Sequence, residues 1–192
     1  MAANPTKTAA PARPTPQDAF ALALAKYNAG ERIEMQVLAD ELGVSRMTLH
    51  RWVGSRDLLI GDILWSLASL TLQAARRRTR TSGAQRVADI VGRYLQTAHE
   101  SPAFRTFVER EGEIALRILT TDRSALQAET VAAARELLEE EVGAGRLRLP
   151  MDIDDLAYII VRIGESFLYT DIITGGEPDP GKARQAIAAL LS

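Results

Sequence analysis

The sequence predicts an all-α chain in which an N-terminal three-helix helix-turn-helix head is joined by one long helix to a C-terminal helical bundle. Three observations carry this reading. Apolar residues recur at helical spacing along most of the chain. Between Met35 and Leu59 a small residue, a glycine turn and flanking aliphatics follow in order. Residues 56–78 then read as one helix of roughly 35 Å at ~1.5 Å per residue, long enough to join two parts of a protein.

Taken in order, residues 1–16 are rich in Pro, Ala and Thr, lack periodicity and read as a disordered tail. Residues 17–54 form the head. Its first helix, residues 17–29, carries Phe20, Leu24 and Tyr27 on one face and closes at Asn28-Ala29-Gly30. Leu38, Ala39 and Leu42 line the second helix, which Gly43 ends because glycine adopts positive φ without steric cost. Ser45 can cap the third helix by accepting a backbone N–H, and Leu49 with Trp52 or Val53 faces inward. Ala39 stands where two steeply crossing helices leave no room for a larger side chain.

Ser55 caps the connecting helix, residues 55–80, which ends in Arg76-Arg77-Arg78 and Arg80 and complements the helix dipole there. Residues 81–192 read as four or five helices. Val87, Ile90, Val91, Tyr94, Leu95 and Ala98 form a stripe that stops at Ser101-Pro102, where proline can begin the next helix. Residues 124–142 make another helix, followed by a connector ending at Asp152. The most apolar helix, residues 153–173, has two apolar faces and so expects burial on both sides. Residues 180–191 close the chain.

Composition limits the function. The chain has 192 residues, a net charge of −2 and no cysteine, which excludes disulfides, thiolate nucleophiles and zinc–thiolate sites. No apolar run is read as long enough to span a bilayer, and the N-terminus lacks a signal-peptide core, so a soluble cytoplasmic protein is expected. The two histidines, His50 and His99, stand apart, and no residues show metal-ligand spacing, so no metal or cofactor is expected. Glu109, Glu111 and Glu113, and the acids from Glu136 to Glu141, read as solvated faces, and an enzyme is not expected. A nucleic-acid site has to be a local patch. The third helix supplies one: Arg46, Met47, Thr48, His50 and Arg51 point outward, and no acid occurs from Ser45 to Ser55. Arg46, Met47, Thr48 and His50 stand near the end that would meet base edges. The alternative is a helical protein-interaction module without DNA binding, to which these arginines would bring nothing.

The run Thr48-Leu49-His50-Arg51-Trp52-Val53-Gly54-Ser55-Arg56-Asp57-Leu58-Leu59 resembles the signature of the TetR family of bacterial repressors. The connector Gly145-Arg146-Leu147-Arg148-Leu149-Pro150-Met151-Asp152 resembles that family's link before the penultimate helix. His50, Trp52 and Glu34 depart from the family's usual residues, so no operator sequence carries over. The resemblance implies a homodimer that binds a pseudo-palindromic double-stranded operator and is released by a small-molecule effector. It implies phosphate contacts from Gln36, Trp52 and Arg56. It also implies a dimer made by the last two helices, for which Val161, Gly164, Leu168, Ile172 and Ile187 are the candidate contacts. Candidate effector-binding residues are Trp65, Tyr94, Phe107, Tyr158, Arg162 and Phe167: large apolar groups with sparse polar ones, as ligand pockets have. Such a wall suits a neutral amphiphile, and the resemblance of the whole sequence to family members that regulate quorum-sensing lactone degradation implies a lactone. Residues 56–78 are the expected lever between pocket and head.

Overall fold

The structure, a computed structural model, describes residues 13–121 and 124–192. The expected disordered tail falls on residues 1–12, outside the described residues, except at its last positions. There Thr15 and Asp18 form a reciprocal capping box and Pro16 takes the first helical position, so the first helix begins one residue earlier than expected.

The described residues form helices without strands: α1 (Pro16–Asn28), α2 (Met35–Leu42), α3 (Arg46–Val53), α4 (Arg56–Arg78), α5 (Gly83–Glu100), α6 (Pro102–Arg110), α7 (Gly112–Thr120), α8 (Leu126–Gly143), α9 (Ile153–Leu168), α10 (Thr170–Thr174) and α11 (Pro180–Leu190). Helices α1–α3 make a head and α5–α11 a body, with α4 packed against members of both. The caps are those the side chains dictate. Ser45, Ser55 and Ser101 each accept a backbone N–H from the first turn of the helix they open. Gly43 turns between α2 and α3 at φ +65°.

The body is more broken than four or five helices. Glu111, at φ −133° and ψ 38°, separates α6 from α7. The helix expected over residues 153–173 stops at Leu168, and Tyr169 turns the chain into the short α10.

The interior falls into two apolar clusters. One joins head to body through Leu38, Leu49, Leu59, Ile60, Ile63 and Ile118; the other lies deeper, around Ile90, Leu137, Leu138, Leu156, Ile160 and Ile187. Within α4, Gly61 admits the start of α8: a Cβ on it would meet Ser124 Cβ at 2.3 Å. By length and composition α4 could cross a bilayer, which corrects the reading that no segment is long enough. Its inner face is instead core, packed on α1, α5, α7 and α8, and it carries Asp57 and Asp62 near its start.

Two acids expected on solvated faces are drawn inward, one buried and one half-buried. Glu141, near the end of α8, is fully enclosed and holds three elements together. It accepts hydrogen bonds from the Gly83 N–H at 2.7 Å, Arg86 at 2.8 Å and both ends of the Arg146 guanidinium at 2.8 Å. Arg146 above all holds its carboxyl down, to about 2, against the opposing effect of burial. Glu111 is the second, half-buried between α6 and α7.

Candidate DNA-reading surface and effector cavity

Helix α3 buries Leu49 completely and turns the opposite side outward. Arg46, Met47, His50 and Arg51 are exposed there, Met47 at 79%. Arg46 and Arg51 form no ion pair among the described residues, so their charge is available to a partner. Thr48 is half-buried, and its hydroxyl lies 2.9 Å from that of Ser45. The start of α3 is thereby capped and stiffened at the end expected to meet bases. Trp52 is half-buried against the core, while Gln36 is exposed on α2 and donates to Asp40 at 2.9 Å.

Arg56 does not join this surface. Its Nε donates to the Ile33 carbonyl at 2.6 Å, and its Nη2 donates to both oxygens of Glu111 at 2.7 and 2.6 Å. The expected phosphate contact is therefore corrected. A long side chain at a helix start can reach inward as easily as outward, and here a half-buried acid 55 positions later draws it in.

In the body, side chains of α4, α5, α7, α8 and α9 line a partly open cavity of about 70 Å³. Trp65 and Leu72 of α4, Tyr94 and Leu95 of α5, Leu119 of α7, Leu137 of α8 and Val161, Gly164 and Leu168 of α9 line it. Its polar groups are few: Glu165, the hydroxyls of Tyr94 and Tyr169, and Thr130. A neighbouring space of about 180 Å³ shares Ala68, Tyr94, Leu119, Leu126, Leu168 and Tyr169, so these side chains stand between the two.

Glu165 dominates the electrostatics. Its side chain is 12% exposed, and burial raises its carboxyl to about 7, against the opposing pull of Arg162. Arg162 Nη1 lies 2.8 Å from Oε2 without the alignment of a hydrogen bond. With its amide turned so that nitrogen faces both acceptors, Gln127 donates to Oε1 at 2.8 Å and to the Leu119 carbonyl at 2.9 Å. Burial, and secondarily the Glu165 charge, pushes Tyr94 up to about 12; burial also holds the Tyr169 phenol well above its usual range.

Of the six expected cavity residues, Trp65 and Tyr94 line it. Phe107 is corrected: it packs on Tyr27 at 6.0 Å between ring centroids, at the junction of head and body. Tyr158 is corrected too, being 52% exposed with Arg162 over its ring at 5.9 Å. Arg162 reaches the cavity only through Glu165. Phe167 is half-buried outside the cavity lining. Tyr169, missed in the sequence, follows Glu165 by four residues and so falls on the same helical face.

Four of the five expected dimer contacts are corrected. Val161, Gly164 and Leu168 face the cavity, Ile187 is fully buried, and Ile172 is half-buried beside Gly112. Both apolar faces of α9 are satisfied within one chain, by α5, α8 and α11. What α9 turns outward is Tyr158, with Ile159 and Arg162 half-buried beside it.

A helix-turn-helix head on a helical body with an apolar cavity is the architecture of a transcriptional regulator. Residues 82–192 match the tetracyclin repressor-like C-terminal domain, and the chain belongs to the TetR family of transcriptional regulators. Among solved structures it is similar to QsdR, the R. erythropolis transcriptional repressor from the TetR family. The two share 28% identity over 92% of this chain and 93% of that one, with a TM-score of 0.85. It also aligns with PfmR, a TetR family transcriptional regulator from Thermus thermophilus, at 20% identity over 91% of this chain and 92% of that one, with a TM-score of 0.40. No curated protein matches the chain.

Proposed function

We propose that this TetR-family regulator is a dimeric repressor that binds a pseudo-palindromic operator through α3 and is released by a neutral, mostly apolar effector. Residues 17–54 act as the reading head, residues 55–80 as the link, and residues 81–192 as the effector-binding and dimerisation body. The observation that carries the reading is the outward face of α3, where exposed arginines stand without acidic neighbours. Dimerisation through the outward side of α9, with Tyr158 and Ile159, and the adjoining α11 would set the two heads roughly 34–36 Å apart, the spacing of successive major grooves.

For the effector we propose a lactone bearing an alkyl or acyl chain. A cavity of about 70 Å³ is smaller than the roughly 300–1,000 Å³ typical of ligand sites, so the effector must open it. Displacing Tyr94 or Leu168 would join it to the neighbouring space and make room for a chain. A lactone only accepts hydrogen bonds, and a buried carboxyl that keeps its proton to about pH 7 can donate one. Binding has to favour the state with mis-spaced heads, because equal affinity for both states shifts nothing.

An electrophoretic shift on the DNA flanking its own gene tests the first half and separates a repressor from an interaction module. Arg46→Ala should relax base preference, since a lost arginine–guanine contact costs about 1–3 kcal/mol. Equal losses on operator and random DNA would refute the assignment. Titrating alkyl lactones against the preformed complex tests the second half. Trp65→Ala should blunt release while leaving DNA affinity intact; no release at any soluble concentration means a different effector.

A further inference from the structure

We propose that the Arg56–Glu111 pair is a positioning contact that holds the reading head in register with the body, and that α7 carries effector binding to it. This deepens the proposed repressor reading and rests on it for its DNA arm. The ion pair is half-buried, with Arg56 and Glu111 side chains 19% and 10% exposed. Its geometry spans three parts of the chain. Glu111 opens α7, Arg56 opens α4, and the same guanidinium donates to the Ile33 carbonyl just ahead of α2. Two further contacts pin the same loop: Arg110 donates to the Gly30 carbonyl at 2.8 Å, and Thr106 lies against Gly30. The loop that leads into the helix-turn-helix is thus held by side chains from α4 and α6, with Glu111 fixing the first of them.

The other end of α7 reaches the cavity. Leu119 is 5% exposed and lines it, and Ile118 beside it is fully buried. Nine residues of helix make a rod roughly 13 Å long. An effector that enlarges the cavity presses on Leu119, and a rod fixed in a close-packed interior transmits that as a shift of its far end. A shift at Glu111 misaligns a charged hydrogen bond formed at 2.6 Å and frees Arg56 from the Ile33 carbonyl. Arg117 of α7 also donates to Asp57 at 2.8 Å, so α7 grips the first turn of α4 at a second point. Helix α4 is therefore not the only continuous path between cavity and head.

The test is a double-mutant cycle on the full chain: Glu111→Gln, Arg56→Gln and the double variant, with operator affinity read by fluorescence anisotropy across salt concentration. A positioning contact gives each single variant a loss of roughly tenfold, within the range of allosteric couplings, and a double variant no weaker than either single one. The salt slope stays as in the wild type. A reduced slope for Arg56→Gln with no loss for Glu111→Gln makes Arg56 a phosphate contact and overturns the proposal. The second readout uses γ-decalactone. Glu111→Gln should bind it at least as tightly as the wild type, because the effector no longer has to break the contact, followed by tryptophan fluorescence without DNA, yet show a smaller fold-release from operator. Unchanged fold-release overturns the role of α7. Hydrogen exchange at residues 30–34 of the free protein needs neither operator nor lactone, so it separates failure of this contact from failure of the repressor reading. Faster exchange there in Glu111→Gln, with the α8 and α9 amides unchanged, supports the contact; unchanged exchange refutes it. Glu111→Asp is the substitute if the glutamine variant does not fold.

Discussion

Replacing Glu165 with glutamine should remove a pH dependence that the cavity builds into the stability of the protein. The carboxyl sits at about 7 in the folded chain, against 4.5 for the free side chain, because burial disfavours its charged form more than Arg162 restores it. Its folded value is thus the higher of the two. The associated stability is fully present below pH 4.5 and is lost as pH rises through about 7. That interval corresponds to roughly 3 kcal/mol. The groups that face the carboxyl are Arg162, Gln127, Tyr94 and Tyr169, and both tyrosines stay protonated across the interval. The assay is urea unfolding of wild type and Glu165→Gln at pH 5 and pH 8, taken as a difference so that all other titrating groups cancel. The wild type should lose about 2–3 kcal/mol relative to the variant between the two pH values. Parallel stabilities would mean that the carboxyl is solvated or firmly paired, and would also remove the proton that the proposed lactone contact needs.

Two further outcomes follow from the packing. Glu141→Gln should cost about 3–5 kcal/mol at neutral pH, read by chemical denaturation, because Arg86 and Arg146 lose the acid they share. With the carboxyl held down at about 2, the wild-type advantage over the glutamine variant should be present above pH 4.5 and fade as pH falls toward 2. Gly61→Ala should destabilise by about 1–3 kcal/mol, since the added methyl would meet Ser124 Cβ at 2.3 Å. Alanine ordinarily favours a helix interior by about 1 kcal/mol, so a more stable variant on thermal melting would refute the close approach of α4 and α8.

The parts of the fold legible in the sequence are those fixed by local rules. Gly43, Ser45, Ser55 and Pro102 mark helix ends through capping and φ preferences that act within a few residues, and each stands at the expected boundary. Arg56 escapes such rules because its partner is distant: nothing in a sequence window says whether an arginine will find Glu111 or solvent. The cavity is half legible. Phe107, Tyr158 and Phe167 are candidates by size, which says only that a residue wants burial, and each finds it elsewhere or stays outside. Helical spacing is the better guide, since Val161, Gly164, Glu165, Leu168 and Tyr169 fall on one face of α9 and its continuation. The dimer candidates fail for a related reason. Two apolar faces on one helix predict two covered sides, and they cannot tell a neighbour in the same chain from one in a second copy.

The charge of the head shows why net charge is a poor guide to its partner. Its acids are already engaged: Asp18 in the α1 capping box, Glu31 and Glu41 with Lys26 at 3.1 and 2.8 Å, Glu34 with Arg32 at 3.4 Å, and Asp40 with Gln36. Lys26 and Arg32 are thereby neutralised, and Arg56 is neutralised across the junction by Glu111. The cations left without an acidic partner in the helix-turn-helix are Arg46 and Arg51, both on the exposed side of α3, while Asp40, bonded to a neutral amide, keeps its charge on α2. A surface field is set by such unpaired charges, because pairs a few ångströms apart cancel within roughly one Debye length of 8–10 Å. A chain with a net charge of −2 can therefore present a local cationic edge to a polyanion, on the helix proposed to enter the major groove. Pulling Arg56 inward confines that edge to α3, leaving the positive field on the residues proposed to face base edges and the third cation paired with Glu111.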